Sequence, residues 1–127
     1  MPVFPDYSIN IHKKSAVLEL VYDDQSYALT AEYLRVFSPS AEVQGHSPSQ
    51  AVLQHGKKDI QFKDIEPQGN YALKLIFSDS HDSGIYSWDY LYELATNYQI
   101  NWTDYEQRLK DEGKSRDSQF IAVQEKL

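Results

Sequence analysis

Cysteine is absent from this 127-residue chain, which removes a disulfide framework, a thiolate nucleophile and a thiolate metal ligand together. Cationic charge is scarce: 12 Lys and Arg stand against 19 Asp and Glu, for a formal charge of −7, and the basic residues are scattered along the chain. Nucleic acids and anionic membrane surfaces both require a cationic footprint, so neither is expected as a partner. No apolar run approaches the ~20 residues of a membrane span. The opening Met1-Pro2-Val3-Phe4-Pro5-Asp6 lacks a basic region followed by an apolar one, which makes the cytoplasm the expected compartment. Glycine occurs five times, without a phosphate-cradling run or a Gly-x-Ser-x-Gly turn to strain a serine nucleophile.

Aromatic residues make up 13% of the chain, and ten tyrosines against one methionine mean that much of any core must be tyrosine. The length fits one domain, read as residues 1–112, with a polar and mobile tail over 113–127. Ala16 to Tyr22 and Ser26 to Leu29, separated by Asp23-Asp24-Gln25, read as a β-hairpin, and a short strand around Ile9 and Ile11 is placed on its edge. Thr30 caps a short helix from Ala31 to Phe37, which Ser38-Pro39 stops. The stretch from Ser38 to His46 reads as a loop, and Ser47-Pro48-Ser49-Gln50 as a capping box opening a two-turn helix that ends at Gly56.

Further along, Ile60, Phe62 and Ile65 begin a strand, Pro67 to Asn70 turn the chain, and Tyr71, Leu73, Leu75 and Phe77 share one face of the next strand. After a polar loop over 78–84, Ser87 caps a helix carrying Trp88, Leu91, Ala95 and Tyr98 at helical spacing. Thr103-Asp104-Tyr105-Glu106 is a second capping box, opening a helix that ends at Gly113. Together these elements give an α+β fold: a mainly antiparallel sheet with helices packed against it.

The loop Asp79-Ser80-His81-Asp82 joins the clearest strand to the clearest helix, a place where side chains are held rigidly. Its carboxylates would favour a charged imidazole if they met it in space. The alternative is that Asp79 and Ser83 satisfy turn groups while His81 sits in solvent. A metal reading needs His81, Asp79, Asp82, His46 and Glu42 to converge, and no ligand spacing in the sequence supports it. The outward tyrosines among Tyr86, Tyr90, Tyr92, Tyr98 and Tyr105 suit a recognition surface, whereas Trp88 falls on the buried stripe.

The segments Leu34-Arg35, Ser38-Pro39-Ser40-Ala41-Glu42-Val43, Gly69-Asn70-Tyr71-Ala72-Leu73 and Asp79-Ser80-His81-Asp82-Ser83-Gly84-Ile85-Tyr86, with Trp88 following, resemble the gamma-butyrobetaine hydroxylase-like N-terminal domain family. The resemblance is to short stand-alone bacterial members of unknown function. In that family the domain is an accessory, preceding an oxygenase domain in carnitine-pathway hydroxylases or fused to a plastid iron–sulfur scaffold ATPase. The oxygenase domain and its iron ligands have no counterpart in this chain, so the hydroxylase activity does not come with the resemblance. The hydroxylases hold zinc in this domain through three cysteines and a histidine. The resemblance places those cysteines at Ser38, Ser40 and Val43 and the histidine at His81.

The resulting expectation is a non-catalytic accessory or interaction domain, without cofactor or metal, that binds an unidentified protein or a second copy of itself. Arg35, Glu42, His46, Asp79 and His81 are its candidate polar contacts, with Tyr86 and Tyr90 as apolar-bodied ones. Two alternatives stand beside it: a metal or iron–sulfur trafficking adaptor binding weakly through His81, and a small enzyme using His81 as a general base oriented by Asp79 or Asp82.

Overall fold

In the computed structural model, residues 7–45 and 51–117 are described. Three strands open the chain: β1 (Ser8–His12), β2 (Val17–Tyr22) and β3 (Gln25–Thr30), paired antiparallel in the order β1-β2-β3. The β2–β3 link is Asp23-Asp24, both left-handed at φ 52° and 64°, as a two-residue hairpin turn requires and as aspartate tolerates. Helix α1 (Ala31–Val36) follows at once, with the Thr30 hydroxyl accepting from Tyr33 N. A second antiparallel sheet, ordered β4-β5-β6, comprises β4 (Phe62–Gln68), β5 (Ala72–Phe77) and β6 (Ile85–Ser87). The antiparallel α+β architecture therefore comes as two three-stranded sheets.

All six residues of α1 are buried, a position open to so short a helix only if its polar members are paired. They are: Glu32 takes a two-pronged contact from Arg116 at 2.7 and 2.8 Å, and Arg35 reaches Asp79 at 2.9 Å. One apolar cluster joins Leu18, Leu20 and Leu29 of the first sheet, Tyr33 and Leu34 of α1, and Leu73, Leu75 and Phe77 of the second sheet. Leu91, Leu94 and Ala95 of α3 (Trp88–Thr96) complete it. Each leucine or phenylalanine among them, fully buried, contributes roughly 1.5–3 kcal/mol. A smaller cluster packs Val36 against Tyr105 and Leu109 of α4 (Tyr98–Asp111).

The tyrosine-rich composition has a directional use. Four phenols donate to main-chain carbonyls: Tyr33 to Leu94, Tyr86 to Leu34, Tyr90 to Phe37 and Tyr105 to Gln54, at 2.5–2.7 Å. Each joins residues more than fifty positions apart in sequence and gives a main-chain carbonyl a partner.

Several expectations need correction. The region from Ser38 is not all loop, because Ala41–Gln44 form a single helical turn, α2, and Ile85–Ser87 form β6 where only a connection was read. Of the helix expected from Ser47, residues 47–50 lie outside the described ones and residues 51–56 are not helical. Tyr71 leaves the buried face of its strand and is 59% exposed. Helix α4 begins at Tyr98, five residues ahead of Thr103, whose side chain is exposed within the helix. Stacking of Tyr98 on Trp102, with both rings set edgewise to Tyr33, accounts for the early start. Past Gly113 the chain is tied back, with Gly56 N and Lys58 N donating to the carbonyls of Ser115 and Arg116.

Candidate functional site

The loop between β5 and β6 folds on itself before it meets anything else. Phe77 N donates to His81 O at 3.0 Å, Ser80 takes a left-handed φ of 71°, and the Asp79 Oδ1 accepts from His81 N at 3.1 Å. This side chain-to-backbone closure is the local turn chemistry that aspartate favours. It fixes the direction of the imidazole, which is turned inward and leaves His81 only 8% exposed.

The imidazole meets the segment that follows α1. His81 Nε2 lies 2.9 Å from Ser38 Oγ and 3.4 Å from Ser40 Oγ, and the two hydroxyls are 3.3 Å apart. Ser40 occupies the N-cap position of α2 but makes no side-chain cap, its hydroxyl being turned toward Ser38 and His81. Gly84 completes the corner: a Cβ there would stand 2.6 Å from Ser38 Oγ and 3.0 Å from Tyr86 Cε1. Burial, helped by the charge of Arg35, lowers the His81 pKa, so the ring is neutral and its nitrogens divide into one donor and one acceptor.

Beside this neutral corner lies a charged one. Arg35 Nε and Lys57 Nζ both donate to Asp79 Oδ2, at 2.9 and 2.7 Å. Burial works against ionisation of Asp79, but the Lys57 hydrogen bond, the His81 N–H and the Arg35 charge outweigh it and hold the carboxyl at about 2. Arg35 is 7% exposed, and its Nη1 has no hydrogen-bond partner among the described residues. A third link is the hydrogen bond from Ser83 Oγ to Glu42 Oε1 on the exposed side of α2.

Of the sequence candidates, Arg35, Glu42, Asp79 and His81 are thus gathered where the segment following α1 meets the β5–β6 loop. His46 lies outside the described residues. Tyr86 is wholly buried, its hydroxyl spent on Leu34 O and its ionisation pushed up by burial, so it packs the core and offers no contact surface. Tyr90 is half-buried and bonded to Phe37 O, with its phenol pushed up to about 12 by burial. Lys57 escaped the sequence reading. It stands in an aperiodic stretch beside Gly56, and nothing local points to Asp79, 22 residues on.

The family model described as "Gamma-butyrobetaine hydroxylase-like, N-terminal" matches residues 9–92. Two solution structures determined by NMR are similar, one 55% identical over 89% of each chain with a TM-score of 0.77. The other is 42% identical over 93% of this chain and 92% of that one, with a TM-score of 0.75. A crystal structure of a protein with unknown function of the DUF971 family from Acidithiobacillus ferrooxidans is 34% identical over 69% of this chain and 89% of that one, with a TM-score of 0.57. No curated protein matches the chain. The chain belongs to the gamma-butyrobetaine hydroxylase-like N-terminal family.

Proposed function

We propose that this chain is a non-catalytic interaction module in which hydrogen bonds hold a corner that, by the family resemblance, the hydroxylases hold with zinc. The observation that carries the reading is the buried contact of Ser38 Oγ with His81 Nε2 at 2.9 Å. A serine hydroxyl stays protonated near neutral pH, whereas structural zinc favours thiolate, and the valine at position 43 has no donor atom. One imidazole with two neutral hydroxyls does not fit the ion. Among the described residues no group of three or more His, Asp or Glu side chains gathers as an alternative.

The partner surface on this reading is the rim outside the corner, where Glu42, Asp82 and Ser83 are exposed and Asp79 is held by Arg35 and Lys57. Its acidity, in a chain of formal charge −7, favours a protein partner presenting basic groups. His81 lines neither the cavity between Val36, Val43, Leu53 and Tyr105 nor the hollow on α4 at Ile100, Thr103 and Gln107, which weighs for binding over general-base catalysis.

Metal analysis of the chain purified without chelator tests the corner. The wild type is expected to carry no stoichiometric zinc, and the S38C/S40C/V43C variant to carry one ion per chain. Stoichiometric zinc in the wild type would remove the basis of the proposal.

A further inference from the structure

A cavity of about 410 Å³ opens between the end of α1, helix α2, residues 51–54 and helix α4. Its size lies in the range of small-molecule sites, which are mostly apolar with a few placed polar groups. Val36, Phe37, Val43, Val52 and Leu53 supply apolar wall. The polar groups beside them are largely committed: Tyr105 donates to Gln54 O, Val52 N to Val43 O, Gln54 Nε2 to Val52 O, and Ser38 is joined to His81. These bonds fix the walls and leave them little to offer a ligand.

Arg108 is the exception. It lines the cavity, its side chain is 42% exposed, and its Nε, turned away from solvent, has no hydrogen bond among the described residues. The neighbouring carboxylate, Asp104, lies 3.3 Å away but is 67% exposed and out of hydrogen-bonding alignment with that N–H. An anionic group entering the cavity would satisfy it.

We propose that this cavity binds a small amphipathic carboxylate, with an alkyl or aryl body against Val36, Phe37, Val43, Val52 and Leu53 and its carboxylate on Arg108. The pairing is charge-assisted and partly desolvated, so the carboxylate discriminates against neutral and cationic analogues of equal length. The inference is independent of the partner surface at the loop corner.

The test is titration of the full chain with sodium octanoate, octan-1-ol and octylamine, followed by amide proton–nitrogen correlation spectra. Octanoate is expected to shift the amides of Val43, Val52 and Leu53 to saturation, with octanol binding roughly tenfold more weakly and octylammonium not at all. Arg108→Gln, at a part-exposed position, should keep the wild-type spectrum elsewhere and reduce octanoate to the octanol level. Ala51→Trp, filling the cavity from an exposed position, should abolish both. Equal affinity for octanoate and octanol, undiminished octanoate binding in R108Q, absence of binding at millimolar octanoate, or shifts confined to the Ile100 side of α4 would each overturn it.

Discussion

Ser38 and His81, 43 residues apart in sequence, share a buried hydrogen bond of 2.9 Å, with Ser40 and Gly84 closing around it. Removing either partner leaves the other with only its longer contacts to Ser40, at 3.3–3.4 Å. Ser38→Ala and His81→Ala are each expected to destabilise the fold by about 1–3 kcal/mol, the cost of a poorly satisfied buried polar group. In a double-mutant cycle the two losses should fall short of additive by about 0.5–3 kcal/mol, read from urea midpoints. Additive losses would mean that the contact carries no energy.

Gly84→Ala tests the same corner from the other side. The new methyl would meet Ser38 Oγ at 2.6 Å, and overpacking of this kind costs about 1–3 kcal/mol. In an S38A background the oxygen is gone, so the same substitution should cost less. The residual contact with Tyr86, at 3.0 Å, sets the part that persists. Thermal unfolding of the two single variants and the double variant decides it.

Acid should loosen this side of the molecule in two stages. His81 has a lowered pKa in the fold, so the unfolded chain binds more protons and stability falls as pH drops through the unfolded value of about 6.5. Asp79, held at about 2, contributes stability that is full above about 4 and lost as pH falls toward its folded value. After discounting for solvent screening, the Asp79 share is about 1–2 kcal/mol. Urea midpoints between pH 7 and about 2 should show both steps, and His81→Gln should remove the upper one alone.

The Glu32–Arg116 pair ties the end of the described chain to α1, with Arg116 also 5.2 Å over the Trp102 ring. Glu32 is 5% exposed, so Arg116→Ala leaves a carboxylate buried without its partner. Because the arginine side is one-third exposed, the expected loss is about 2–4 kcal/mol, at the lower end for broken buried pairs. Glu32→Gln/Arg116→Gln, which removes both charges, should cost less than Arg116→Ala alone. Calorimetric unfolding of the three chains measures the difference.

Local chemistry marks its own elements clearly in this sequence. Thr30 and Ser87 cap helices as read, each accepting from the amide three residues on, and Asp23-Asp24 turns the hairpin. What the sequence concealed is set by tertiary packing. Asn97 precedes α4 without a side-chain cap, so its start is fixed by Tyr98 and Trp102 packing around Tyr33 and by Asn101 Nδ2 donating to the Tyr33 hydroxyl. At the site, Arg35, Asp79 and His81 were visible as polar residues near turns. That Tyr86 faces inward depends on a carbonyl 52 residues away, and Lys57 on a carboxylate no period connects to it.

The phenol-to-carbonyl bonds also set an alkaline limit on the fold. Burial raises the ionisation of Tyr33, Tyr86, Tyr90 and Tyr105 above the ordinary value near 10, to about 12 for the last two. Below pH 10 these hydroxyls keep their protons whether the chain is folded or not. Above it the unfolded chain sheds them first, and the advantage of the native state shrinks as each phenol is drawn toward its anion. Loss of structure in base should therefore coincide with the share of tyrosinate absorbance that these four phenols contribute, appearing in one cooperative step.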